Sequence, residues 1–395
     1  MFFGGSMSLI GQSVTILGAG IAGLAAARAL ALRGAGVVVL EQSAALEDVG
    51  AGIQISQNGA VVLRALGLGA ALDACSTRAE AVELRNGATS ALVTRLEVAR
   101  LRPDQGYHFV HRADLVGLLA DGAREAGVEV RFGQKVDRVD LAGKKAVYDV
   151  GGARGEAGLL IGADGLHSAV RAALTGKVAP FFTHQVAWRA VIAGDGGPAV
   201  VEVHMGSGRH LVSYPLRSGA LRNIVAVEER RGWAAEGWSH RDDPAALRTA
   251  FAGFGPRVRG WLDRVDEVHL WGLFRHKVAA RWHDRGAAVI LGDAAHPMLP
   301  FLAQGASMAL EDAWVLAECL AMADSPGAGL AAFQAARAPR CKRVVDAASL
   351  NARLYHLSGL QRVVAHAGLR VVGRVAPSMP LRKFDWLYGV DVTRE

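Results

Sequence analysis

The stretch SVTILGAGIAG at residues 13–23, the Ala/Leu/Arg run of 24–35 and GVVVLE at 36–41 together decide the fold of this chain. A short β-branched run, a glycine cluster, an Ala-rich helix and a second β-branched run make a βαβ unit. Gly18, Gly20 and Gly23 fall where strand becomes helix. Gly18 permits the tight turn, Gly20 lets a pyrophosphate approach the backbone, and Gly23 lets helix and strand pack closely. The helix N-terminus then offers free N–H groups and a partial positive charge to phosphates. Glu41 ends the second strand, where an acid can accept hydrogen bonds from adenosine ribose hydroxyls. A glycine turn that only packs tightly would read the same over 18–23. The strand, helix and terminal acid together point to a dinucleotide, with NAD and FAD both open.

Two later segments narrow the choice. GLLIGADGLHSAVR at 158–171 is an apolar strand, a turn at Asp164 and Gly165, and a helix start near Ser168. GAAVILGDAAHPMLPFLAQGASMALED at 286–312 is a strand ending in Gly292 and Asp293, a loop, and another helix. Asp293 can accept a bond from a ribityl hydroxyl, and the helix N-terminus after Gln304, Gly305 and Ala306 can stabilise a reduced, anionic flavin ring. In this order after the glycine loop, the three motifs resemble the flavin-dependent aromatic hydroxylases, the class A single-component monooxygenases typified by p-hydroxybenzoate and salicylate hydroxylases. The resemblance spans about residues 12–390. It implies bound FAD, with Asp164 serving both FAD and a transient NADH or NADPH, and Asp293 holding the ribityl chain. It also implies that Arg112 in VHRADL (110–115) contacts the ribityl–phosphate region, and that GAGI (50–53), with Gly52 and Ile53, is the flavin-edge loop.

The rest of the composition agrees. A chain of 395 residues, 51% hydrophobic and 21% charged, suits two packed domains and excludes a mainly disordered chain. The net charge is +7, but Lys and Arg are scattered, which argues against nucleic acid and suits an enzyme that gathers small anions. Cys75, Cys319 and Cys341 show no CxxC or zinc-like spacing, so they read as isolated thiols in a reducing compartment, with no metal expected. Arg28, Arg33 and repeated glycines interrupt the most apolar stretch, Val14 to Leu40, so no membrane span is expected. Met1 to Gln12 lacks the features of a signal peptide, Met7 is a second candidate start, and a cytoplasmic monomer or homodimer is the expectation.

The expected fold is α/β: a Rossmann-like FAD-binding domain of the p-hydroxybenzoate hydroxylase type, with an interleaved antiparallel β-sheet substrate domain and C-terminal helices. The FAD domain is discontinuous over 12–75, 107–175 and 275–345, the substrate domain takes 76–106 and 176–274, and 346–395 is a helical segment. VVEVH (200–204), HLVSY (210–214) and NIVAV (223–227) read as strands of the substrate sheet.

On that sheet His210 and Tyr214 stand four apart, so their side chains face one side. They can accept a phenolic proton, although an exposed His beside a core Tyr fits the same spacing. The resemblance favours the first reading, because relatives acting on 3-hydroxybenzoate and 6-hydroxynicotinate use His and Tyr at this spacing around the substrate hydroxyl. Arg189 is either a carboxylate clamp or a structural residue, and His296 reads as a packed loop residue. Pro300 and Phe301 depart from the polar residues some relatives place there.

The resemblance therefore implies an NAD(P)H- and O2-dependent monooxygenase acting on a small, salicylate-like aromatic through a flavin hydroperoxide. The alternatives are an FAD-dependent reductase or dehydrogenase on a non-aromatic substrate, and a non-catalytic flavin sensor.

Overall fold

The computed structural model describes residues 9–46, 51–101, 106–230, 232, 240–284, 286–376 and 378–394. Met1 to Ser8 and Gly50 lie outside the described residues. The strand Ser13–Leu17 pairs in parallel with both Gly36–Leu40 and Leu159–Gly162, so the glycine loop leaves from the centre of a sheet. The six strands run His283–Asp284, Ala288–Ile290, Leu159–Gly162, Ser13–Leu17, Gly36–Leu40, Glu129–Arg131 in spatial order. Only the edge pair His283–Asp284 with Ala288–Ile290 is antiparallel. The strands that precede Gly18, Asp164 and Asp293 are therefore parallel neighbours, and the three turns converge at one edge. Ligands of such sheets bind beyond the C-terminal strand ends.

The helix Ile21–Ala31 buries Gly23 and an almost unbroken Leu/Ala run. Small side chains let it lie close against both Arg112–Glu125 and Gly305–Met322.

The second sheet has eight strands, ordered Arg241–Asp242, Val268–Arg275, Phe181–Ala193, Leu221–Glu229, Arg209–Leu216, Val200–Gly206, Ala81–Asn86, Leu92–Leu96. It is mixed rather than purely antiparallel, because Val200–Gly206 pairs in parallel with Ala81–Asn86. Between those two strands the chain passes through the first sheet, and a connection that long is what a parallel pair requires.

The two faces of this sheet differ. On the outer face Trp188, Ile192, Leu211, Ile224 and Ala226 pack against Leu247, Phe251, Val258 and Trp261, in and beside the helices Pro244–Ala250 and Pro256–Leu262. On the inner face Ala187, Val227, Trp271 and Leu273 pack against Leu299 and Phe301, which follow Asp293 in the chain. The inner face thus looks onto the loop that leads from one cofactor motif to the next.

Two expected boundaries fall differently. Ser76–Arg78 pairs with His108–His111, itself paired with Gly52–Ile55, so this piece joins a small sheet on the cofactor side. The helix Pro326–Tyr355 runs through the expected break at 345 with Pro339 inside it. The chain then continues through Gly359–Val375, Met379–Arg382 and Asp385–Tyr388. Among the described residues, no helix is long and apolar enough to cross a membrane.

Candidate active site

The glycine loop has the geometry a diphosphate needs. Gly18 has φ +101°, and a Cβ there would lie 2.5 Å from the Ala163 carbonyl oxygen. A Cβ at Gly23 would collide with the Gly18 carbonyl, whereas at Gly20 and Gly305 there is nothing within 4 Å. Glycine is thus required for packing at 18 and 23, and Gly20 borders open space where a phosphate can sit. Glu41 accepts N–H bonds from Ala19 at 2.7 Å and Ser43 at 2.8 Å, which fixes its carboxylate against the loop. Each oxygen keeps a lone pair for a ribose hydroxyl.

Asp164 caps the helix Ala169–Thr175 by accepting the Ala169 N–H at 2.7 Å through Oδ2. Its Oδ1 is buried and has no hydrogen-bond partner among the described residues, and burial raises the carboxyl above its ordinary value. An unmet acceptor of this kind fits a ligand hydroxyl or N–H. Asp293 is solvent-accessible, yet the surrounding protein still raises its carboxyl by desolvation, against the pull of His296 and Arg112. Arg112 opens the helix Arg112–Glu125, and its backbone N–H bonds Ala51.

Ala303 takes a left-handed conformation, φ 51°, to turn the chain into the helix Gly305–Met322. The first N–H groups of that helix have no acceptor inside it. The Gln304 side chain is spent elsewhere: Nε2 donates to Ser56 at 2.8 Å and Oε1 accepts from Asn58 at 3.0 Å. A flavin contact at 304–306 therefore falls to the backbone of Gln304, Gly305 and Ala306. Gly52 donates to the Asn223 side chain at 2.8 Å, and a Cβ on Gly52 would meet the Tyr214 ring at 2.6 Å, so the strand Gly52–Ile55 seats directly on the second sheet. These residues fit FAD, through an open phosphate loop, an acid with an unmet acceptor and an accessible acid at a strand end.

Beneath Asp293 lies a buried charge cluster with no sequence signal. Asp312 accepts from Gly292 N–H at 3.0 Å, from His296 at 2.5 Å and from Arg337 at 2.8 Å. Burial opposes ionisation of Asp312, but His296 and Arg337 outweigh it and hold the carboxyl at about 2. His296, Asp312 and Cys341 bring potential ligand atoms within 4.8 Å of one another, and the Arg337 guanidinium already pairs with Asp312 and lies 3.9 Å from Cys341 Sγ. The cluster fixes the turn that presents Asp293.

On the substrate wall, alternation puts His210, Tyr214, Arg189 and Trp271 on the inner face. The structure separates the partners of the first two. Tyr214 lies against Gly52 and Phe109, with ring centroids 5.2 Å apart for the aromatic pair. His210 lies 5.3 Å from the Phe301 ring and is hydrogen-bonded through Nδ1 to His356 Nε2 at 2.7 Å. Burial, aided by His356, keeps His210 well below its ordinary value, whereas burial pushes the Tyr214 phenol well up. Near neutrality the His210 ring is therefore uncharged and the Tyr214 phenol keeps its proton. Arg189 stacks over Trp271 at 4.0 Å, and burial lowers its guanidinium to about 10. It remains charged at neutral pH, and an arriving carboxylate would offset the desolvation. Reading the sequence missed His356, Asn223 and Trp271, since none stands in a motif.

With this geometry in hand, comparison with known proteins is informative. Residues 12–348 match the FAD binding domain family. The chain is 34% identical to the 3-amino-4-hydroxybenzoate 2-monooxygenase PtmB3 of Streptomyces platensis, covering 96% of each chain. It is 33% identical to the 3-hydroxybenzoate 6-hydroxylase of Polaromonas naphthalenivorans, again over 96% of each. Among solved structures, Klebsiella pneumoniae HpxO complexed with FAD and uric acid superposes with a TM-score of 0.82 at 25% identity, covering 93% of this chain and 95% of that one.

Proposed function

This chain belongs to the FAD binding domain family, and from that premise we propose that it is an FAD-dependent aromatic monooxygenase acting on a phenolic carboxylate. The single observation that carries the substrate class is the inner face of the second sheet, where a neutral histidine and a half-buried arginine share one apolar wall opposite Leu299 and Phe301. A hydroxybenzoate offers the matching groups: a ring for Trp271 and Phe301, a carboxylate for Arg189 and a phenol for His210. The curated relatives, both enzymes that oxygenate hydroxybenzoates by name, favour this reading over a reductase or a flavin sensor.

When bound, FAD would supply the redox chemistry, accepting hydride from NAD(P)H and activating O2. One oxygen atom enters the ring, the other leaves as water, and NAD(P)H provides the two electrons. The protein holds and activates. Gly18, Gly20 and the helix Ile21–Ala31 receive the diphosphate, Glu41 the ribose, and Asp293 and Arg112 the ribityl–phosphate region. Asp164 would present its free oxygen and the backbone at 304–306 would receive the flavin ring. His210 takes the phenolic proton, which raises the electron density of the aromatic ring, while Tyr214 keeps its proton and donates. Phe301, Leu299 and Trp271 exclude water from the reacting atoms. In this reading 12–75, 107–175 and 275–345 form the cofactor half together with the strand Ser76–Arg78 and the remainder of the helix Pro326–Tyr355, and the rest of 76–106 with 176–274 forms the substrate half.

Purified protein should be yellow, and acid should release all of its flavin as FAD. NAD(P)H oxidation should rise several-fold with 3-hydroxybenzoate, salicylate or an amino-hydroxybenzoate. Colourless protein, or no stimulation by any member of such a panel, would overturn the proposal.

A further inference from the structure

His210 does not end at His356. His356 Nδ1 lies 2.7 Å from Glu229 Oε1, so three side chains from two strands and a helix end form one hydrogen-bonded row. Burial falls along it: His210 is 1% exposed, the His356 side chain 3%, and the Glu229 side chain 53%. We propose that His210, His356 and Glu229 form a proton relay that carries the substrate's phenolic proton from the buried wall to solvent. The proposal rests on the reading of His210 as the base.

The direction of every bond follows from the last member. A carboxylate only accepts, so His356 carries its proton on Nδ1 and donates it to Glu229. The neutral imidazole of His356 then has a bare Nε2, which accepts from His210. His210 must therefore hold its proton on Nδ1, and its Nε2 is left with a lone pair. Glu229, two side chains away, thus selects the tautomer in which His210 can act as a base. When a phenol O–H breaks, the proton forms a bond to His210 Nε2. The Nδ1 proton of His210 passes to His356 Nε2, and the Nδ1 proton of His356 passes to Glu229 and on to water. Both rings end neutral with tautomers inverted, and the phenolate keeps the negative charge. Proton return to the product runs the row backwards and restores the starting tautomers.

The neighbours suit neutral rings. His210 also touches the rings of Phe301 and Tyr355, and the Tyr355 phenol is raised by burial, so it stays uncharged. His356 faces Glu229 and Arg209, and Arg209 is itself paired with Glu228, which also holds Arg230. Burial of His356 lowers its value, Glu229 opposes this and Arg209 reinforces it. A direct exit from His210 to water would make His356 a packing residue only. The row instead gives His356 and Glu229 positioning roles that act through His210.

The test begins with the resting holoenzyme and needs no substrate. Long-range 1H–15N spectra of 15N-histidine-labelled protein near pH 7.5, assigned with His210 and His356 variants, should show both rings neutral with the proton on Nδ1. A proton on His210 Nε2 would overturn the relay. Kinetics come second. Glu229→Gln, at a half-exposed position, should slow hydroxylation about 10-fold or more, enlarge its solvent isotope effect and shift its pH profile, with FAD content and flavin reduction unchanged. The slowing should vanish in a His210→Ala background, since residues of one path are not additive. Wild-type rate and pH profile in Glu229→Gln, or additive losses, would refute the relay. If no hydroxybenzoate is turned over, the spectra still decide the relay, and the failure lies with the proposed substrate class.

Discussion

On the proposed reading, the cofactor side works largely through backbone and through acids placed at strand ends near a glycine. The substrate wall works through side chains that meet only after the chain has folded: His210 and His356 are 146 positions apart, and Gly52 and Asn223 are 171 apart. The difference teaches where a function is written. A peptide N–H aimed at a phosphate needs a local turn, and a local turn leaves a contiguous signature. A base with a defined tautomer needs a partner that sequence spacing does not reveal.

Substitutions should separate the two regions. The largest effect is expected at the wall. His210→Ala should slow hydroxylation about 10²–10⁴-fold, the range for loss of a general base. FAD content should stay intact and NAD(P)H consumption should continue, with peroxide released in place of product. Equal loss of flavin would break the comparison, because the wall would then be holding the cofactor.

On the cofactor side the readout reverses. Asp293→Ala should weaken FAD binding by about 1.5–3 kcal/mol, the value of a charged hydrogen bond, or roughly 10–150-fold in Kd. This is measured by titrating FAD into apoprotein. Unchanged affinity would move the ribityl contact elsewhere. Gly23→Ala and Gly20→Ala sharpen the point within one loop. A Cβ at 23 meets backbone, so Gly23→Ala should lose about 1–3 kcal/mol of apoprotein stability by overpacking. Gly20→Ala borders open space and should leave the apoprotein melting temperature unchanged while lowering FAD occupancy. Equal melting losses in both would mean the loop is only a packing element.

The smallest effect concerns acid. The phosphate loop offers peptide groups that do not titrate, whereas the wall holds His210 and His356 below their ordinary value. Above pH 6.5 both the folded and the unfolded chain leave these rings neutral. As pH falls through about 6.5 the unfolded chain takes up protons that the buried rings refuse, so stability is lost in that direction. The melting temperature should fall by a few degrees from pH 7 to 5, and His210→Asn should reduce that fall. A flat profile in the wild type would contradict the buried, neutral rings.

Much of the first sheet was legible because the glycine loop, the Asp164 turn and the Asp293 turn each follow a short apolar strand. The mixed character of the second sheet was not, since the parallel pairing of Val200–Gly206 with Ala81–Asn86 depends on a long crossover. Gln304 shows the same limit at one residue. Its motif marks the helix start, but its side chain turns to Ser56 and Asn58, which lie almost 250 positions earlier. The helix Pro326–Tyr355 crosses the expected boundary at 345 because Arg337, Arg340 and Cys341, on either side of Pro339, face Glu311 and Asp312 and keep it docked, contacts that no local pattern announces.

The central claim is that the two regions together insert oxygen into an aromatic ring. The most direct measurement is turnover of a stimulating hydroxybenzoate under 18O2, with mass analysis of the product and the NAD(P)H consumed. One 18O atom per product molecule, added to the ring, and one NAD(P)H oxidised for each product formed are expected. A product that gains no oxygen from O2, or one labelled only from water, would contradict the claim.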